Sequence, residues 1–247
     1  QYDQSHLMKN PLRYCSLIKY LRGNQYDVVF SSSNANAFSV SQAIFAGLLG
    51  GKHSIGFEWQ ESSKIYTDVV RGNTNIQYGE AQVDLWRYFD ADAVAELPKI
   101  YFTSNTIERS QNENVLFWLG ATGNKVLPQK MISEILNILD ENNISFQLAA
   151  GPADENLFKT YPVKWKEKTI FLNGSLKDAA NFFCGYSMII IPDTGPMHLA
   201  VALGIPTVQV FVKSDPTWYA YSGNKNFIID KSIDKNELIK YLNKFLN

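Results

Sequence analysis

Between Ser187 and Phe211 the chain reads SMIIIPDTGPMHLAVALGIPTVQVF. Met188 to Ile191 is an unbroken apolar run, the pattern of a strand buried on both faces. The chain then turns through Pro192-Asp193-Thr194-Gly195. A helix is predicted from Pro196 to Leu203, stopped by Gly204 and Pro206. A second apolar strand follows, Thr207 to Phe211. Two buried strands joined through one short helix define a parallel βαβ unit, and the rest of the chain must supply a sheet around it.

The turn has chemical content. Thr194 or Asp193 can cap the helix, and Pro196 suits its first turn because the missing N–H has no helical partner there. Gly195 permits close backbone approach to a ligand, or a positive φ. The free amides and the helix dipole converge on one spot and favour an anion such as a pyrophosphate. His198, in the first helical turn, can add a hydrogen bond or a positive charge. Read from periodicity alone, an ordinary capped crossover fits equally well.

Composition narrows the class. The 247 residues suit one large or two modest domains, and the net charge of −1 gives no global basic field for nucleic acid. Cys15 and Cys184 are distant in sequence and lie in apolar helical patterns, so they read as reduced, buried residues of a cytosolic protein. No stretch reaches the roughly 18–20 apolar residues of a membrane span. No signal peptide is visible, and Gln1 is not a natural start, so the sequence reads as beginning inside a longer protein.

The chain divides in two. In residues 1–110, Pro11 to Arg22 reads as an amphipathic helix with Leu12, Cys15, Ile18 and Leu21 on one stripe. Strands are expected at 26–30 and 52–57, helices at 38–49 and 76–89, and an irregular loop at 58–75. Pro98 to Thr103 reads as a short extended segment. Thr103 to Asn114 is polar and aperiodic, as a linker should be. Residues 111–247 alternate regularly. Strands are expected at 115–119, 145–150, 169–172, 188–191, 207–211 and 227–229. Helices are expected at 129–142, 154–160, 176–185, 196–203 and 235–245. That alternation predicts a doubly wound parallel sheet, whose ligands bind at the carboxyl ends of the strands.

Asp193-Thr194-Gly195-Pro196-Met197-His198-Leu199-Ala200, followed by Ala202-Leu203-Gly204-Ile205-Pro206-Thr207-Val208, resembles the signature of the heptosyltransferase family of glycosyltransferases, which includes the lipopolysaccharide core heptosyltransferases. In that family this loop holds the donor's diphosphate and sugar. The resemblance implies a GT-B-like α/β fold of two Rossmann-like domains, an acceptor-side domain at 1–110 and a nucleotide-sugar-binding domain at 111–247. The first domain fits in order: Tyr26-Asp27-Val28-Val29-Phe30 and Gly51-Lys52-His53-Ser54-Ile55-Gly56-Phe57 match family segments. The family's opening strand, Gly-Asp loop and helix, roughly sixty to seventy residues, have no counterpart. The N-terminal domain is therefore expected to be incomplete, and the family's general base, an acidic residue of that segment, has no residue here to carry it.

The resemblance extends to three more loops. Gly120-Ala121-Thr122-Gly123-Asn124-Lys125-Val126-Leu127-Pro128 is similar to the donor-binding loop in which Thr and Lys contact phosphate, with Leu127 where the family commonly has Trp. Thr122 can donate its hydroxyl and Lys125 can offset diphosphate charge; taken alone, Lys125 reads as a solvated lysine beside a helix start. Ala150-Gly151-Pro152-Ala153-Asp154-Glu155 matches a Gly-Gly-Pro-x-Asp/Glu-Glu loop. There Gly151 admits the nucleotide and Glu155 accepts from a ribose or sugar hydroxyl, against the plain reading of a turn with acids at a helix start. Asn173-Gly174-Ser175-Leu176 resembles a segment framing the nucleotide, although helix capping is the simpler role for Ser175.

Other chemistries are weaker. Asp90-Ala91-Asp92 lacks a flanking apolar strand and reads as a helix-end loop, not a cation site. The Gly-rich dinucleotide fingerprint, the P-loop and the nucleophile elbow are absent from the sequence. His6, His53 and His198 share no metal-ligand spacing. The expectation is an inverting, metal-independent glycosyltransferase without a cofactor. It would move a sugar, ADP-heptose being the favoured donor, to a glycan or lipopolysaccharide core acceptor. The donor residues would be Thr122, Lys125, Gly151, Glu155, Asp193, Thr194, Gly195 and His198. The alternatives are a nucleotide-sugar-binding protein without turnover and a sugar-nucleotide epimerase. A glycolipid acceptor would bring this cytoplasmic protein transiently to the inner membrane surface, with Lys9, Arg13, Lys19 and Arg22 of the first helix as contacts, although a solvated helix face explains those charges too.

Overall fold

The computed structural model describes residues 11–33, 35, 37–100 and 115–246. The chain divides into two compact units, Gln1–Glu96 and Leu97–Asn247. The expected linker, Thr103 to Asn114, and the end of the expected extended segment before it lie outside the described residues.

The first unit is built on a three-stranded parallel sheet. Its elements are α1 (Pro11–Arg22), β1 (Val28–Phe30), α2 (Val40–Leu48), β2 (His53–Phe57), β3 (Asp68–Val70) and α3 (Tyr78–Arg87). The sheet order is β1-β2-β3, with Val29 opposite Ser54 and Gly56 opposite Val69. Strand β3 lies inside the stretch expected to be an irregular loop. Its three residues are too few to display a period, and its half-buried Val69 and Val70 gain stability only by pairing with β2. Tyr66 explains a glycine: a Cβ on Gly56 would stand 2.2 Å from its ring, whose hydroxyl donates to Ser31 Oγ at 2.7 Å.

Helix α1 has the expected bounds, but among the described side chains its inner face runs through Tyr14, Ile18 and Leu21 and leaves out Cys15. Tyr14 is buried, Cys15 is exposed, and Ile18 and Leu21 are only half-buried. The expectation that both cysteines are buried therefore holds for Cys184 alone. A tyrosine buries a larger apolar body than a cysteine, so the helix turns toward Tyr14.

The second unit contains β4 (Val115–Trp118), α4 (Gln129–Glu141), β5 (Phe146–Ala150), α5 (Glu155–Phe158), α6 (Val163–Glu167), β6 (Thr169–Phe171), α7 (Leu176–Cys184), β7 (Met188–Pro192), α8 (Gly195–Ala202), β8 (Thr207–Phe211), α9 (Pro216–Tyr219), β9 (Asn226–Asp230) and α10 (Lys235–Leu246). The strands form one parallel sheet in the order β6-β5-β4-β7-β8-β9. Counted within the unit this is 3-2-1-4-5-6, the doubly wound order with its topological switch between β4 and β7. Strands β4, β7 and β8 are buried along their whole lengths, as the apolar runs of β4 and β7 require. The short helices α6 and α9 have no counterpart in the sequence reading, because one turn of helix leaves no periodic trace.

Both faces of the sheet are covered. On one, Ile132, Ile135 and Leu139 of α4 meet Val115, Phe117, Met188, Val208 and Val210. Each such aliphatic side chain contributes on the order of 2 kcal/mol, as an upper bound, through area removed from water. On the other, Phe183 of α7 and Met197 and Ala200 of α8 meet Leu116, Trp118, Ile189, Ile191 and Phe211. Helix α7 starts with a capping box: Ser175 Oγ accepts from the Asp178 amide, and the Asp178 carboxylate accepts from the Ser175 amide at 2.8 Å. Capping thus occupies Ser175.

Candidate functional site

The switch point places two predicted loops side by side. Strand β4 leads into Leu119 and the loop carrying Thr122 and Lys125, and β7 leads into Asp193 and Thr194. Because β4 and β7 are neighbours, both loops leave the carboxyl edge of the sheet at the same place. Lys125 Nζ lies 2.7 Å from Asp193 Oδ2. The Asp193 side chain is 2% exposed and that of Lys125 35%, so the ion pair has a buried acid and an accessible base. The ammonium also sits 5.2 Å from the centre of the Tyr219 ring.

Asp193 has more acceptor capacity than Lys125 uses. Neither carboxylate oxygen has a hydrogen-bond partner among the described residues beyond the ion pair. A buried carboxylate in that state keeps acceptor capacity to spare.

Thr194 occupies the cap position of α8, but its hydroxyl turns back to the Pro192 carbonyl at 3.3 Å instead of bonding a helix amide. Gly195 does not use a positive φ. Nothing lies within 4 Å of the place a Cβ would take.

His198 Nδ1 is 2.9 Å from the Tyr221 hydroxyl, and burial pushes the imidazole pKa down, against the pull of Asp193. Of the two roles expected for His198, the hydrogen bond is therefore favoured over the positive charge.

The loop after β5 joins the same edge through a residue the sequence reading passed over. Asp154 is buried and its Oδ2 accepts from the Gly151 amide at 2.9 Å, with a further bond from the Ala121 amide. It ties the β5 loop to the β4 loop, while burial raises its pKa. Gly120 accommodates it: a Cβ there would meet Asp154 Oδ2 at 2.1 Å. Glu155, the acid singled out from sequence, is exposed at the start of α5, and Thr122 is exposed beside Lys125. Two adjacent acids cannot be ranked by sequence when only burial separates them.

Asp90 and Asp92 lie in an exposed loop after α3, where Asp90 Oδ1 accepts from the Asp92 amide at 3.2 Å. Among the described residues no cluster of three His, Cys, Asp or Glu side chains stands ready for a metal ion. His53 pairs instead with Asp68, at 3.0 Å.

A doubly wound sheet with cationic, amide and carboxylate groups at its switch point defines a class of α/β proteins that bind phosphorylated ligands there. The family model for glycosyltransferase family 9 (heptosyltransferase) matches residues 14–245. The chain belongs to that family and is a glycosyltransferase. No match was found among the curated proteins. Among solved structures it is similar to E. coli heptosyltransferase WaaC with ADP, at 19% identity and a TM-score of 0.71, covering 95% of this chain and 77% of that one. A glycosyl transferase family 9 protein from Veillonella parvula DSM 2008 matches at 13% identity and TM-score 0.69, over 93% and 77%. E. coli ADP-heptose lps heptosyltransferase II matches at 18% identity and TM-score 0.65, over 94% and 80%. The fold is the GT-B-like α/β fold of these proteins.

Proposed function

We propose that the second unit binds a nucleotide-diphospho-sugar, ADP-heptose by preference, and that the protein transfers the sugar to a glycan or lipopolysaccharide core acceptor with inversion. The observation that carries this reading is the Lys125–Asp193 pair at the switch point, beside the N-terminus of α8. Similarity to a structure holding ADP and to one holding ADP-2-deoxy-2-fluoro heptose supports the choice of donor.

The two halves of the pair suit two halves of such a donor. The Lys125 ammonium and the amides at Thr194 and Gly195 offset the charge of the departing diphosphate. His198 adds a hydrogen bond, and Thr122 a hydroxyl. The unsatisfied oxygens of Asp193 accept from sugar hydroxyls. Gly151 and Glu155 lie within the same group of loops. A fixed cation and fixed dipoles supply what a metal supplies elsewhere, so the reaction is written without one. The acceptor hydroxyl attacks the anomeric carbon as the C–O bond to the diphosphate breaks, and a carboxylate on the acceptor side takes its proton. No described residue is assigned as that base.

A glycolipid acceptor would need the protein at a membrane surface. No described helix is long and apolar enough to cross a membrane. Exposed Lys19 and Arg22 on α1 suit peripheral contact; Lys9 lies outside the described residues.

Release of ADP from ADP-heptose, followed with and without a deacylated lipopolysaccharide core acceptor, tests the proposal. Acceptor-dependent ADP release with a glycosylated product is expected. ADP binding without release would identify a carrier, and an altered sugar nucleotide formed without acceptor would identify an epimerase; either would overturn it.

A further inference from the structure

Strand β8 carries an anomaly. In the otherwise apolar and wholly buried TVQVF, Gln209 has no exposed surface. A buried amide is costly unless its hydrogen-bonding capacity is used. Gln209 uses it on Tyr221. Its Oε1 accepts from the Tyr221 amide at 2.9 Å, and its Nε2 donates to the Tyr221 carbonyl at 3.2 Å. One side chain thus pairs both backbone groups of one residue, as a neighbouring strand would.

The direction of these bonds is fixed by chemistry. A backbone N–H only donates, so the Gln209 oxygen must face Tyr221 N. Its Nε2 then also donates to Thr207 Oγ1 at 3.1 Å. Thr207 passes its own hydrogen to Asn226 Oδ1 at 2.7 Å, and Asn226 Nδ2 donates to the Ser222 carbonyl at 3.0 Å. Every donor in the chain meets an acceptor, so the network has one self-consistent orientation.

Its free end is the Tyr221 phenol, held 2.9 Å from His198 Nδ1. Burial raises the pKa of Tyr221 and lowers that of His198, so at neutral pH a phenol with its hydrogen faces a neutral imidazole. Among the described residues, Nδ1 is the acceptor that the phenol reaches. The imidazole hydrogen then resides on the other nitrogen.

We infer that Gln209 and Tyr221 are positioning residues that hold His198 as the Nε2–H tautomer, a neutral hydrogen-bond donor at the N-terminal turn of α8. This rests on the proposed donor site for its use, though not for its existence. The tautomer is a property of the free protein. Its use is to present N–H to the donor diphosphate without the ordering of an unfixed ring.

The test is a long-range 15N–1H correlation spectrum of the histidine rings of the free protein at neutral pH, with His198 assigned by His198→Ala. The expected wild-type pattern is the Nε2–H tautomer. Tyr221→Phe, which keeps the ring, is expected to give mixed tautomers and to weaken ADP binding about twofold, the reciprocal of the share of rings left in the competent tautomer. Gln209→Met is expected to do the same by freeing the Tyr221 backbone. A wild-type Nδ1–H pattern, or an unchanged spectrum in Tyr221→Phe, would overturn the inference even if Gln209→Met fails to fold. Unchanged ADP affinity in a Tyr221→Phe protein of altered tautomer would overturn the use assigned to it. Failure of the wild type to bind ADP at all would count against the proposed donor instead, and the spectrum would still decide the tautomer.

Discussion

Lys125 and Asp193, from loops that follow the first and fourth strands of the second unit, meet at 2.7 Å because those strands are neighbours in the sheet. The pair is asymmetric in exposure, so its members fail differently. Lys125→Ala leaves a carboxylate charged and buried with no cation beside it. A fully buried pair broken this way loses about 3–5 kcal/mol. With Lys125 one-third exposed, a loss of about 2 kcal/mol is expected. The double variant Lys125→Met, Asp193→Asn should recover most of that stability in denaturant melts without recovering donor binding. A double variant as unstable as Lys125→Ala would show that the buried charge is not the cause.

Gly120 and Asp154 are matched by contact. Gly120→Ala forces a Cβ to within 2.1 Å of Asp154 Oδ2, and that carboxylate is tied to the Gly151 amide. A destabilisation of about 2–3 kcal/mol is expected, with weaker nucleotide binding because two site loops shift together. Gly123→Ala is the contrast: its Cβ would meet nothing within 4 Å, and only the positive φ of 61° opposes it, for about 1 kcal/mol. Equal losses in the two variants, read by thermal melting, would contradict the packing argument.

In the first unit, Asp68 accepts from Tyr88 Oη at 2.6 Å and Thr67 Oγ1 at 2.7 Å, and pairs with His53. These bonds hold its pKa down to about 2. A carboxylate depressed in the folded state adds stability above its unfolded value near 4, and loses it as pH falls toward 2. Because the cluster is partly solvated, the contribution is about 1 kcal/mol. Asp68→Asn should lose that amount at pH 7 and match the wild type near pH 2. A difference independent of pH would place the effect in packing.

His198 acts in the same direction, in a higher pH window. Its pKa is lowered by burial, so below about 6.5 the unfolded chain takes up a proton that the folded chain resists. Stability from this group is intact above that pH and falls away below it. His198→Asn should flatten the decline in melting temperature between pH 6.5 and 5. An unchanged decline would assign it to other groups.

Much of the second unit is legible in the sequence because strands buried on both faces announce themselves. Met188 to Ile191 and Thr207 to Phe211 need no periodicity to be found. The loop after Met188 to Ile191 follows, and with it Asp193; Thr122, Lys125 and Gly151 are singled out in the sequence only through the family resemblance of their loops. The pairing of Lys125 with Asp193 is not legible, since the order of strands decides it. Asp154 hides beside Glu155 because burial, not residue type, separates them. Gln209 did leave a trace, as the one amide in an apolar run, but its meaning required Tyr221, which lies beyond a turn and a short helix. In the first unit, Tyr14 took the place of Cys15, and β3 was too short to show any pattern.

The most direct measurement is calorimetric titration of the protein with ADP, UDP and GDP, repeated on Lys125→Ala and His198→Ala. Selective binding of ADP is predicted, weakened at least tenfold by Lys125→Ala, which removes a cation from a diphosphate, and to a smaller extent by His198→Ala. Equal affinity for the three nucleotides would contradict the choice of donor. Binding of ADP that ignores both substitutions would show that the switch point of the second unit is not where the donor sits.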